Sequence, residues 1–113
     1  MSIADSVLDE DNAQHLAHTF RALANPIRLH ILSVLAAKHD HSWTSERMQQ
    51  GFGLSQSTVH YHLAALQKGG LVVAERSRPS SLTTYTLNDA TFRQLRELFH
   101  LARRYHRSFW ETL

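Results

Sequence analysis

Nine histidines and no cysteine bound the chemistry open to this chain of 113 residues. Without thiols there is no disulfide, no thiolate nucleophile and no cysteine-ligated metal. Any ion must be held by His, Asp, Glu or backbone groups. The stretch "LSQSTVHYHL" sets His60 and His62 on either side of Tyr61. Two residues apart on a helix is about 200° around its axis, so these imidazoles diverge and do not share one ion. His15 and His18 are three apart, on adjoining turns of one helix face, a spacing that suits zinc(II) or nickel(II). His39 and His41 flank Asp40 in a polar connection and form a lesser candidate set. A histidine cluster could instead sense pH.

The bland alternatives weigh against some of these. His106 falls on an apolar stripe, where a histidine is more often packed and hydrogen-bonded than ligating. His100 shares a polar face with Arg96, Arg103 and Arg107, whose charges oppose a cation. His30 has no evident partner. Enzyme chemistry finds no motif: there is no H-E-x-x-H and no glycine-rich phosphate loop. A Ser–His pair can be drawn anywhere in a histidine-rich chain and carries little weight.

The elements that must position these residues follow from caps and periodicity. Hydrophobic content of 42% and charged content of 19% predict a folded domain. Residues 1–10 read as a flexible acidic arm, and residues 11–113 as one domain. Asp11 with Gln14 resembles a capping box for a first helix, along which Leu16, Ala17, Phe20, Leu23 and Ala24 recur. Asn25-Pro26 separates it from a second helix carrying Ile27, Ile31, Leu32, Val34 and Leu35. Thr44 caps a short third helix over about 45–50 that ends near Gly51 and Gly53. Ser55 caps a fourth, with Leu54 and Val59 as a hydrophobic staple, and Gly69-Gly70 stops it.

The period then changes. "LVVAERS" and "LTTYTL" flank the turn-rich "RPSS" and predict an antiparallel hairpin. Residues 90–112 predict a long last helix with an apolar stripe through Phe92, Leu95, Phe99, Ala102, His106, Phe109 and Leu113. One small domain can hardly cover so wide a stripe, so a dimer seam is expected there. The fold class is mainly α with a small β-hairpin, arranged as a winged helix-turn-helix. Such a module lays its second helix in the major groove. If Val59, Leu63 and Leu66 face inward, Gln56, Ser57, His60, Tyr61 and Ala64 face out, and His62 lies near the edge of the packed face. Glutamine can read adenine bidentately.

Charge agrees with an acidic partner. The first eleven residues carry four acids and no base, and the remainder carries 12 basic and six acidic side chains. No apolar run is long enough for a membrane span, and the N-terminus lacks the basic start of a signal peptide, so the cytoplasm is expected.

The motifs also carry a family resemblance. "FRALANPIRLHILSVL" and "LSQSTVHYHLAALQKGGLV" resemble the opening helices and the recognition helix of the ArsR/SmtB winged-helix regulators, and "TTYTL" resembles their returning wing strand. The resemblance spans roughly residues 15–110. It implies a homodimer built from the first and last helices, a palindromic double-stranded DNA operator, and an effector that is often a metal ion. Carried over by position, it marks Ser55, Gln56, Ser57, Thr58, His62 and Leu63. His60 stands where the family more often has serine. Arg76 and Arg78 are candidate phosphate or minor-groove contacts of the wing.

The family's cysteine site has no counterpart in "SWTSERM". Of its site on the last helix only Asp89 matches, with Thr91, Ala102 and Tyr105 at the other ligand places. A different intersubunit site is expected if metal is bound at all, from His15 and His18 with His100 or His106, with nickel(II) or zinc(II) as the ion. Two alternatives remain: a regulator that is effector-independent or answers a small molecule or protein, and an interaction module that kept the fold without binding DNA.

Overall fold

The computed structural model describes residues 9–38, 43–77 and 81–111, with side chains through Arg104. The elements run α1 (Glu10–Leu23), α2 (Pro26–Ala37), α3 (Ser45–Phe52), α4 (Gln56–Lys68), β1 (Val72–Arg76), β2 (Thr83–Leu87) and α5 (Asp89–Glu111). This is the expected mainly α chain with one antiparallel hairpin. Most of the acidic arm, His39, Asp40, His41 and Arg78 lie outside the described residues. So do the side chains of Tyr105, His106 and Phe109.

Most helix starts fall where cap chemistry predicts. Thr44 caps α3 by accepting from the Arg47 N–H, and Ser55 caps α4 by accepting from the Thr58 N–H. The first cap differs from the expectation. Asp9, not Asp11, accepts from the Asn12 N–H at 2.8 Å. Glu10 and Asp11 then fall in the first turn, where acids suit the helix dipole. Asn25 caps α2 through the Ile27 and Arg28 N–H groups, with Pro26 at the first helical position. Helix α3 runs on through Gly51 to Phe52 and closes at Gly53, whose φ of 65° is the left-handed cap that favours glycine.

The core is one cluster drawn from every element. Ile31, Leu32 and Leu35 of α2 meet Met48 of α3, Val59, Leu63 and Leu66 of α4, and Leu71, Val72, Tyr85 and Leu95. The inward face of α1 departs from its apolar spacing. Leu16, Thr19 and Ala22 are buried, whereas Ala17 and Phe20 are exposed and Leu23 is half-buried. Thr19 can sit inside because its hydroxyl donates to the Gly69 carbonyl at 2.8 Å. That contact ties α1 to the end of α4. A Cβ on Gly69 would lie 2.5 Å from the Cβ of Ala22, so only glycine lets the two helices close this tightly.

The hairpin pairs Val72 with Leu87 and Arg76 with Thr83. Its root is anchored twice: the Asn88 N–H donates to the Leu71 carbonyl, and the Tyr85 N–H donates to the Trp43 carbonyl. The wing is thereby fixed to the helix-turn-helix pair rather than hung from it. Among the described residues no helix is long and apolar enough to cross a membrane.

Candidate nucleic-acid interface

The turn between α3 and α4 is three residues long, Gly53 to Ser55. The N–H groups of Gly53 and Leu54 both reach the Gln49 carbonyl, which closes α3 and re-aims the chain. Leu54 then packs against the core and Val59 is fully buried, as a staple requires. With Val59, Leu63 and Leu66 inward, the opposite face of α4 is set by helix geometry alone. Gln56, Ser57, His60, Tyr61 and Ala64 are all exposed.

The marked residues divide into two groups. Ser55 and Thr58 are engaged with each other: the Ser55 Oγ accepts from the Thr58 N–H and donates to the Thr58 Oγ1 at 2.8 Å. Thr58 is half-buried, so both hydroxyls serve the cap first. Gln56, Ser57, His60 and Tyr61 are presented outward, with Tyr61 65% exposed. In a major groove, such side chains offer amide, hydroxyl, imidazole and phenol hydrogen bonds to base edges and phosphates. Arg76 is exposed at the outer end of β1. Beyond it the Ser77 N–H bonds the Leu82 carbonyl, and Ser81 takes a left-handed φ of 57°.

His62 departs from its expected place near the packed edge. It is buried, at 5% exposure, and its Nδ1 accepts from Nε of Arg28 on α2 at 3.2 Å. The proton of the neutral ring is therefore on Nε2. Burial, followed by the nearby Arg28 cation, holds the His62 pKa below its ordinary 6.5. The same guanidinium lies 5.5 Å from the Tyr61 ring centre, and its Nη1 reaches the Ala22 carbonyl at 3.4 Å. Arg28 thus braces two consecutive residues of α4 from outside that helix. Sequence reasoning missed it: Arg28 and His62 are 34 residues apart, and no local pattern joins them.

The histidines proposed for metal are not brought together. Among the described residues no group of three His, Asp or Glu is placed to hold an ion. The His15 ring packs over Gly70, near Thr91. His18 lines a cleft with Arg21, Arg28 and Lys68, three permanent positive charges that would repel a divalent cation. His100 is exposed on α5, and the side chain of His106 lies outside the described residues. Within one chain, the described residues do not fit a metal site.

Known proteins agree with this geometry. The family model for a helix-turn-helix domain matches residues 23–75. The HTH-type transcriptional regulator NmtR of Mycobacterium tuberculosis is 35% identical over 88 residues, 78% of this chain and 69% of that protein. Among solved structures, the homodimeric winged helix-turn-helix DNA-binding domain Mb0332 of Mycobacterium bovis, a possible ArsR-family regulator, is 27% identical. It superposes with a TM-score of 0.64 over 89% of this chain and 92% of that one. The cadmium metal-sensor CmtR of Mycobacterium tuberculosis is 34% identical, with a TM-score of 0.53 over 67% of this chain and 73% of that one. These relatives are regulators, not enzymes. The order of elements, the outward face of α4 and these likenesses place the chain in the ArsR family of winged helix-turn-helix, DNA-binding transcriptional regulators.

Proposed function

We propose that the chain works in the cytoplasm as a homodimer that reads a palindromic double-stranded operator through Gln56, Ser57, His60 and Tyr61. Ser55 and Thr58 fix the start of the reading helix, and Arg76 with Arg78 steadies the wing on phosphate. Residues 1–10 serve as an acidic arm and residues 11–113 as the DNA-binding and dimerisation domain. The observation that carries this reading is the exposed polar face of α4, held outward by three fully buried residues. The dimer reading is supported by the homodimeric relative and by the exposed phenyl pair of α1 and α5.

The test is binding of the purified chain to duplex from upstream of its own gene, across a salt series. Affinity is expected to fall steeply as salt rises. Gln56→Ala is expected to cost about 1–3 kcal/mol and to relax discrimination at one base pair. Folded protein with no salt-sensitive binding would leave the interaction-module reading in its place.

Metal control is the second reading, and likeness to a cadmium sensor favours it. Nickel(II) and zinc(II) are the ions to titrate. Since the described residues of one chain supply no ligand set, the site would join His15 and His18 to His100 or His106 of a second copy. Calorimetry on wild type, His15→Ala and His100→Ala decides it: binding unchanged in both variants removes this site and leaves an effector of another class.

A further inference from the structure

A cleft of about 190 Å³ opens between α1, α2 and α4, and Lys68 brings it to the edge of the outward face of α4. His18 and Arg21 of α1, Arg28 of α2 and Lys68 of α4 line it, and its lining holds no carboxylate. Its floor is built to fixed dimensions by the close approach of Gly69 to Ala22. Arg28 is held in place by His62 and the Ala22 carbonyl. Two of its five N–H donors are so used, and three remain for a ligand. His18 and Phe20 are two residues apart on α1, about 200° around the helix, so the cleft is on the other flank from the exposed phenyl pair.

From this convergence of basic side chains around a held arginine we infer that the cleft is an oxyanion site for a phosphate group. Arginine supplies planar donors to two oxygens, lysine a point charge, and histidine a further donor. Arg21 and Lys68 also stand in the last turns of α1 and α4, where cations offset the helix dipoles. That role accounts for neither His18 nor Arg28 at the same volume. The phosphate could come from the DNA backbone or from a free anion, and the first of these rests on the regulator reading.

The test has two arms on the full chain. In the first, inorganic phosphate is titrated by calorimetry at constant ionic strength against chloride. Saturable binding is expected, weakened about tenfold or more by Lys68→Gln. Lys38→Gln is the control, since it removes a cation from the C-terminal cap of α2 and so matches any dipole effect. In the second, operator affinity is measured against salt. If the cleft holds a DNA phosphate, Lys68→Gln weakens binding and lowers the log–log salt slope by about one. Arg21→Gln repeats both arms should Lys68→Gln unfold.

A response in the first arm assigns a free anion, and a response in the second alone assigns the DNA backbone. Cleft variants indistinguishable from Lys38→Gln in both arms overturn the site. Wild type that binds phosphate but no duplex defeats the regulator reading and leaves the cleft standing.

Discussion

Helices α4 and α5 are both amphipathic, and the chain treats them differently. Helix α4 is completed from within: a serine cap starts it, Val59, Leu63 and Leu66 are fully buried, and α2 braces its flank through Arg28. Helix α5 is longer and less covered. Leu95 is buried and Phe92 and Leu98 are half-buried, but Phe99 remains 57% exposed. It meets Phe20, itself 38% exposed, edge to face at 6.2 Å. Apolar surface left open on one helix and closed on the other separates two tasks. The reading helix holds its shape alone, whereas the last helix leaves apolar surface open, which the proposed dimer would cover.

That contrast can be broken from either end. The largest effect is expected from Leu63→Ala, which opens a cavity in the core and costs about 2–5 kcal/mol in denaturant unfolding. Operator binding should fall with the folded fraction. Phe99→Ser is expected to leave the helical signal intact and to weaken self-association by about 1.5–3 kcal/mol, read by sedimentation equilibrium. If Phe99→Ser lowers the stability of the chain and leaves self-association unchanged, the division of labour is wrong. Ser55→Ala removes the cap of α4 and should cost about 1 kcal/mol of stability.

The smallest effect is a pH dependence. His62 is neutral when folded with its pKa held below 6.5, whereas in the unfolded chain it titrates at the ordinary value. As pH falls below 6.5 the unfolded state takes up the proton first. The contribution of His62 is therefore whole above 6.5 and is lost as pH drops through the folded pKa. His62→Asn keeps an acceptor for Arg28 without titrating. Thermal melts between pH 5 and 8 should show a shallower acid decline in this variant, and parallel curves would remove His62 as a cause.

The parts of this molecule readable from its sequence are those written in local order. Thr44, Ser55, Gly53 and the β-branched strands announce their elements within a few residues. Once Val59, Leu63 and Leu66 turn inward, the outward face of α4 follows from 3.6 residues per turn. What was not readable depends on segments meeting across the fold. Thr19 is polar and sits in the core because a carbonyl 50 positions later receives its hydroxyl. His62 read as a residue near the packed edge, and its burial against Arg28 of α2 could not be seen from local order. The same limit applies to His15 and His18 within one chain. Spacing put His15 and His18 on one helix face, but packing gave His15 to Gly70 and His18 to a ring of cations.

The grip of Arg28 on Tyr61 and His62 also restricts how the molecule can move. Adjacent residues point about 100° apart around a helix. A single guanidinium engaging both therefore resists rotation of α4 about its own axis. Sliding would break the same contacts. Movements that carry α2 and α4 together preserve both contacts. In the proposed dimer, a tilt of that pair would change the separation between the two α4 helices and leave the outward face of each intact.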